Sequence, residues 1–223
     1  MSSKILTFAK FGAEEHMRAF FEQGLVYMNP IQHFRQTEDQ QLRGDHYEGV
    51  SKIKNLPPGI MEITALDYKG HYLNIHLSES YELVLGNIFS MFCVSSATIP
   101  NPFEFKVDTK IAEFGSHCMM IKNNEVFLKR MESGLSSLAF EFYHGYVSYY
   151  DRYKVNRTMS LFEKPLEFAY QKEFRFLVKS GLSTPLTLQL GSLADIAMLI
   201  PMEHFLSLSL QSKKSRRMGN KTR

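Results

Sequence analysis

Hydrophobic and polar residues alternate from Tyr170 to Val178, and this period-two pattern predicts a β-strand late in the chain. One face of this strand carries Gln171, Glu173 and Arg175 in a row. These are more polar side chains than a half-buried strand needs. An ordinary amphipathic strand with a cross-strand ion pair is an alternative explanation of this spacing. The apolar face would consist of Phe174, Phe176 and Val178.

The start of the chain predicts a strand, a helix and a second strand in close succession. Residues 5–11 alternate as a strand does, whereas residues 13–23 place apolar side chains at helical spacing. Gly24 is expected to end this helix, and residues 25–28 form the second strand. Tyr27 lies on the opposite face of that strand from its two neighbours, so it belongs either to the core or to the floor of a cleft.

The remaining pattern contains more strands than helices. Asn123 or Asn124 is expected to begin a helix that Gly134 ends, and Lys69–Gly70 is expected to form the turn of an irregular hairpin. The other predicted elements are a helical turn at 31–34, a polar loop at 36–49, a central strand at 88–96, and strands at 117–121, 140–150, 186–190 and 196–200. This order predicts a single α+β domain over residues 1–210, with mixed, mainly antiparallel sheets and a few flanking helices.

The composition is that of a globular chain with one well-buried core. Of its 223 residues, 44% are hydrophobic and 22% are charged, which is ordinary for a soluble domain. The net charge of +3 comes from the end of the chain, because residues 213–223 carry six Lys and Arg and no acid, which leaves −3 for the rest. We therefore expect residues 211–223 to be a basic, disordered tail that could contact nucleic-acid phosphates.

The cysteines and the N-terminus favour a cytoplasmic location. Cys93 and Cys118 lie within apolar runs, which is typical of buried thiols in a reducing compartment rather than of a disulfide framework. The first residues show no signal-peptide pattern, and no apolar run reaches the length of a membrane span. We therefore expect a cytoplasmic protein that does not act at a membrane.

Common catalytic motifs are missing from the sequence. The eight histidines form no His-Glu-x-x-His pair or similar ligand set, so we expect no catalytic metal. There is no Gly-x-Ser-x-Gly elbow, no phosphate-binding loop and no Gly-x-Gly-x-x-Gly motif. A carboxylate acting without a metal remains, since Glu173 can stabilise an oxocarbenium-like centre while Gln171 orients an acceptor. Cleavage of the ribose–nicotinamide bond of NAD fits this pair, because nicotinamide leaves readily.

Gln171-x-Glu173 resembles the Gln/Glu-x-Glu signature of ADP-ribosyltransferases, in which the motif begins the fifth core strand. The chain is also similar to a bacterial family that combines an early Leu-Tyr-Phe strand with later Phe-x-Lys-Pro and Tyr-x-x-Glu-x-Arg segments. The segments that carry this resemblance are Leu25–Tyr27, Phe162–Pro165 and Tyr170–Arg175. Such proteins look like toxins of anti-phage defence, so the resemblance implies an ADP-ribosyltransferase-like fold, NAD as a substrate, RNA as the acceptor, and antitoxin and chaperone proteins as partners.

The resemblance also implies roles for residues outside the Gln-x-Glu motif. Tyr27 would stack on nicotinamide, and Ser95, in the counterpart of a Ser-Thr-Ser strand, would support the ribose or Glu173. No arginine stands on the first strand, so Arg35 or Arg43 would neutralise the pyrophosphate. Lys10 is a further candidate for this cation.

The nucleic-acid acceptor would dock on a polar connection after residue 150. Its cations are Arg152, Lys154 and Arg157, which could contact phosphates. Nearby tyrosines could stack on bases, although packing within strands explains each of them equally simply; they are Tyr146, Tyr149, Tyr150 and Tyr153. The alternative function is a non-enzymatic nucleic-acid- or protein-binding module of a toxin–antitoxin system.

Overall fold

A computed structural model describes residues 4–36, 47–81, 86–96, 99 and 105–209. Arg43 and the predicted tail 211–223 lie outside these described residues. The helices are α1 (Glu14–Gln23), α2 (Ile31–Gln36), α3 (Asn124–Ser136) and α4 (Met202–Leu206). The strands are β1 (Ile5–Gly12), β2 (Leu25–Pro30), β3 (Val50–Leu56), β4 (Gly59–Ile63), β5 (Tyr68–Tyr72), β6 (Ile75–Ser80), β7 (Asn87–Ser95), β8 (His117–Ile121), β9 (Phe142–Tyr146), β10 (Ser148–Tyr150), β11 (Arg157–Thr158), β12 (Glu163–Pro165), β13 (Glu173–Val178), β14 (Leu186–Gln189) and β15 (Ala197–Pro201).

The largest sheet has eight strands arranged around β7. Its main path runs β14-β2-β7-β1-β8-β15, while β13 pairs with both β7 and β9. Within the described ranges every strand pairing is antiparallel except that of β10 with β12. The α+β class and the mainly antiparallel sheets predicted from sequence are therefore confirmed, as is the central position of the strand near residue 90.

The edge of β7 that faces away from β13 is shared by two strands and is open between them. Asn87 pairs with both Val178 of β13 and Pro30 of β2, so β2 lies on the opposite edge from β13. Phe92 pairs in the same way with β13 and with Ala9 of β1. Beyond Ala9, β1 continues along β8, and the earlier part of β2 pairs with β14. The two strands thus diverge and leave a split in the sheet beside the middle of β7.

Helices α1 and α3 support this sheet through an aromatic core. Met17 and Phe20 of α1 are buried, and Gly24 ends the helix in the left-handed conformation with φ 64°, as its sequence position predicts. The side chain of Asn123 accepts a hydrogen bond from the Val126 amide at 3.2 Å and so caps α3. The apolar face predicted for the late strand is confirmed, since Phe174, Phe176 and Val178 all belong to this core.

Three smaller groups of strands lie outside the eight-stranded sheet: β10 with β12, β11 with β3 and β6, and β4 with β5. The β4–β5 hairpin exposes several large apolar side chains, including Ile60, Leu66 and Tyr68. In the described part of the chain, no helix is long and apolar enough to span a membrane.

Three local predictions were wrong. Gly134 lies inside α3, where an added Cβ would come within 2.5 Å of Leu188 Cδ1, so this glycine allows close packing against β14 instead of ending the helix. Lys69–Gly70 lies within β5, because the hairpin turns through a short 3-10 helix that ends at Asp67 with φ 45°. Gln171 ends a 3-10 helix that begins at Leu166, and the strand starts only at Glu173.

Candidate active site

A cleft of about 920 Å³ opens where β1 and β2 diverge. Lys10 comes from β1, Tyr27 from β2 and Ser90 from β7, while Glu173 reaches the cleft from the start of β13 and Gln171 from the end of the 3-10 helix before it. Its walls are otherwise mostly apolar and aromatic. The split in the sheet therefore brings an early strand, a central strand and the Gln-x-Glu segment to one surface, as ligand sites require.

Glu173 is buried, with only 4% of its surface exposed, and both of its carboxylate oxygens have partners. Ser90 Oγ donates a hydrogen bond to Glu173 Oε1 at 2.5 Å, and Arg175 Nε donates to the same oxygen at 2.7 Å. Lys164 Nζ lies 2.9 Å from Oε2. The Glu173 amide donates to Tyr149 Oη at 2.8 Å. These contacts fix the position of the Glu173 carboxylate, which lines the cleft.

Arg175 connects this carboxylate to a second buried acid, Glu48. The Arg175 guanidinium is 1% exposed and binds both oxygens of Glu48, with Nη1 to Oε1 at 2.7 Å and Nη2 to Oε2 at 3.0 Å. Its Nη1 also donates to the Leu161 carbonyl oxygen. Two acids and two bases, counting Lys164, thus form a cluster with no net charge. Buried charges are tolerated in proteins when they are paired and hydrogen-bonded in this way.

The cluster keeps Glu173 ionised. Burial would raise the pKa of this carboxyl, but the positive charges of Arg175 and Lys164 outweigh burial and hold the pKa well below its usual range. Burial acts on the Arg175 guanidinium in the opposite direction, yet Glu173 and Glu48 raise its pKa further above its usual value. The Glu173 carboxyl is therefore ionised at any physiological pH, within a cluster that has no net charge.

Lys164 also contacts the other residue of the Gln-x-Glu motif. Its Nζ donates to Gln171 Oε1 at 3.0 Å, and Gln171 Nε2 donates in turn to Tyr170 Oη at 3.3 Å. A left-handed residue, Lys172 with φ 41°, lies between Gln171 and Glu173. Gln171 and Glu173 both contact Lys164, and the backbone bends between them at Lys172. They are therefore not neighbours on one face of a regular strand.

No family model, curated protein or solved structure matches this chain. The site is therefore interpreted from its own geometry. Within the described residues, no group of three or more His, Cys, Asp or Glu side chains is placed to hold a metal ion.

Four of the residues predicted from sequence converge on the cleft. Glu173 and Gln171 line it, and Tyr27, which is 53% exposed, lines it from the opposite wall. Arg35 lies in α2, close to cleft-lining residues but not among them. Lys10 lines the cleft, where its Nζ donates to the Ser90 carbonyl oxygen at 2.7 Å and lies 4.6 Å from the centre of the Phe89 ring.

Ser95, predicted to support the ribose or Glu173, is not among the residues that line the cleft. It is fully buried at the end of β7, opposite Ile5 of β1, and hydrogen-bonds with the Cys93 thiol. Ser90 makes the contact with Glu173 because it stands opposite Arg175 in the β7–β13 register. A serine inside an apolar strand was the available signal for Ser90, but the pairing of β7 with β13 was needed to recognise it.

The predicted acceptor surface is largely occupied by its own ion pairs. Lys154 pairs with Asp151 at 2.9 Å, while Arg157 binds both oxygens of Glu163 at 2.9 and 2.7 Å. Arg152 Nη1 lies 3.0 Å from Glu167 and its guanidinium packs on the rings of Tyr47 and Tyr153. Tyr146 packs on Phe174, Tyr149 binds the Glu173 amide and Tyr150 is buried, whereas Tyr153 is 65% exposed.

Proposed function

We propose that this protein is an NAD-dependent ADP-ribosyltransferase whose reaction takes place in the cleft between β1 and β2. The observation that carries the proposal is the convergence of Tyr27, Gln171 and Glu173 on one cleft, although they come from distant parts of the sequence. An ionised carboxylate that lines a mostly apolar cleft provides the electrostatic stabilisation that a developing ribosyl cation requires.

In the proposed reaction, the bond between ribose C1′ and the nicotinamide nitrogen breaks, and its electron pair leaves with neutral nicotinamide. Glu173 stabilises the positive charge that develops on the ribose. Gln171 orients an acceptor whose lone pair forms the new bond to C1′, after which the acceptor releases a proton to solvent. Tyr27, which is exposed, stacks on the nicotinamide ring. Lys10, the candidate cation that lines the cleft, neutralises the pyrophosphate.

The proposed acceptor is nucleic acid, specifically RNA, and the proposed setting is a cytoplasmic toxin of anti-phage defence with antitoxin and chaperone partners. These parts rest on the resemblance of the Gln-x-Glu and Phe-x-Lys-Pro segments. The exposed ring of Tyr153 supports a base-stacking contact, because every base offers a π-face to an aromatic side chain.

A non-enzymatic partner-binding module is the second candidate function. It is favoured by the engagement of both Glu173 oxygens within the protein and by the apolar side chains exposed on the β4–β5 hairpin. Contiguous exposed apolar surface often marks a site for another protein. This candidate predicts binding without any consumption of NAD.

Labelled NAD, incubated with total cellular RNA, DNA or protein in separate tubes, tests the enzymatic proposal. We expect the native protein to label RNA, and Glu173→Gln to reduce labelling by about 100-fold or more, since the variant loses the stabilising charge. Glu141→Gln is the matched control, because it also removes an ion-paired carboxylate but one outside the cleft.

The stability of each variant is measured in parallel by thermal unfolding. Should Glu173→Gln fail to fold, Tyr27→Ala replaces it, since this exposed side chain can be shortened without opening the core and should raise the KM for NAD. Equal labelling by the native protein and Glu173→Gln, or no label and no nicotinamide release by the folded native protein, would refute the enzymatic proposal.

A further inference from the structure

Lys164 stands between the two residues of the Gln-x-Glu motif. Its ammonium lies 2.9 Å from Glu173 Oε2 and 3.0 Å from Gln171 Oε1, and it lines the same cleft. An ammonium has only hydrogen-bond donors, so the Gln171 atom that it contacts must be the amide oxygen. Lys164, on the amide oxygen, and Tyr170 Oη, on the amide nitrogen, thus set the orientation of the Gln171 amide, and Lys164 makes the shorter contact.

The position of Lys164 is itself determined by the β10–β12 ladder. Lys164 is the register partner of Tyr149 in this pair. Tyr149 Oη accepts from the Glu173 amide, while Lys164 Nζ binds the Glu173 carboxylate. This small ladder therefore holds Glu173 at both its backbone and its side chain. The side chain of Lys164 is only 11% exposed, so it has little freedom to adopt other positions.

We propose that Lys164 is a positioning residue that selects transfer to the acceptor over transfer to water. This inference rests on the function proposed above and concerns a residue outside the Gln-x-Glu motif. Glu173 retains Ser90 and Arg175 as partners when Lys164 is removed, so cleavage of the glycosidic bond persists. Gln171 loses the contact that fixes its amide oxygen, so the acceptor is no longer aligned with C1′.

Hydrolysis of NAD and transfer of ADP-ribose to RNA share the first chemical step and differ in the second. In both, the bond from C1′ to nicotinamide breaks and nicotinamide leaves with the electron pair. Water then attacks C1′ and loses a proton to give free ADP-ribose, or an RNA atom attacks and loses a proton to give ADP-ribosyl-RNA. A misaligned acceptor slows only transfer to RNA, because attack by water needs no such alignment.

The test compares nicotinamide release with labelling of total cellular RNA for the native protein, Lys164→Met and Lys164→Arg. We expect Lys164→Met to lower the ratio of RNA labelling to nicotinamide release by at least about 10-fold. Lys164→Arg keeps a positive charge and several donors and should restore much of that ratio. Lys179→Met is the control, since it removes a lysine that pairs with Glu141 outside the cleft.

A purely structural role for Lys164 would lower both products together and would leave their ratio unchanged. An unchanged ratio in folded Lys164→Met, or a ratio reduced equally by Lys164→Arg, would overturn the inference while leaving the proposed enzyme intact. If Lys164→Met does not fold, Lys164→Arg is compared with the native protein alone. A ratio of RNA labelling to nicotinamide release far below the native one would then overturn the inference. Failure of the proposed function itself is distinct, because the native protein would then release no nicotinamide.

Discussion

Replacing Arg175 with methionine should strongly destabilise the fold. The substitution leaves Glu48 and Glu173, each about 4% exposed, with Lys164 as the remaining base of the cluster, so the cluster acquires a net charge of −1. Removing one partner of a buried ion pair costs about 3–5 kcal/mol, because the remaining charge is left in an environment that water cannot reach. A second substitution, Glu48→Gln, restores neutrality and should recover a large part of this loss.

Urea unfolding measures the effect. The free energy of unfolding falls by about 3 kcal/mol per molar urea, the upper end of the range for small proteins, since this dependence increases with chain length. Arg175→Met should therefore lower the urea concentration at the unfolding midpoint by about 1–1.7 M. Arg130→Met is the matched control: Arg130 also binds a carboxylate through two nitrogens, but Asp195 is exposed, and such surface pairs contribute at most about 1 kcal/mol. The reasoning is refuted if Arg175→Met and Arg130→Met shift the midpoint equally, or if Glu48→Gln adds its own destabilisation to that of Arg175→Met.

Two further predictions concern pH and backbone geometry. The folded-state pKa of Glu173 lies below its unfolded value, so this carboxylate contributes its full stabilisation above about pH 5 and loses it as the pH falls towards the folded-state pKa. Glu173→Gln should therefore lose less stability than the native protein between about pH 5 and about pH 2, and parallel pH profiles would contradict this. Gly24→Ala should destabilise by at least about 2–3 kcal/mol in thermal or urea unfolding, since it adds strain at φ 64° and places a Cβ 2.2 Å from the Gly191 carbonyl oxygen. Gly181→Ala, at φ 67° and with no described residue beyond its chain neighbours within 4 Å of the added Cβ, should show only the strain of about 1–2 kcal/mol. Equal effects of the two substitutions would disprove the packing contribution.

The structure combines the two explanations that the late polar segment allowed. Glu173 is indeed part of an ion network, but its partner Arg175 stands on the same strand and the cross-strand contact comes from Ser90. The same carboxylate lines the cleft. The structural role and the proposed catalytic role of Glu173 therefore use the same oxygens, and the proposed substrate would have to share this carboxylate with Lys164.

Local patterns predicted much of the fold. The opening strand, helix and strand, the central apolar strand and the capped helix α3 were all recognised because each depends on residues close in sequence, such as Gly24 and Asn123. The errors arose where a distant contact decided the local geometry. The sequence around Gly134 predicts a helix end because it contains no sign of β14, which packs on this glycine and requires a small residue there.

The sequence by itself determined the class of fold, the burial of both cysteines and the involvement of Tyr27, Gln171 and Glu173 in a surface that could face a ligand. It determined these features because periodicity and turn chemistry act over a few residues. Only the tertiary structure decided that Glu173 meets Ser90 and Lys164, and that Arg175 joins it to Glu48. Those contacts depend on which strands pair and in what register. They also depend on the approach of β12 and of the turn before β3, which bring Lys164 and Glu48 to β13, and no local pattern encodes this.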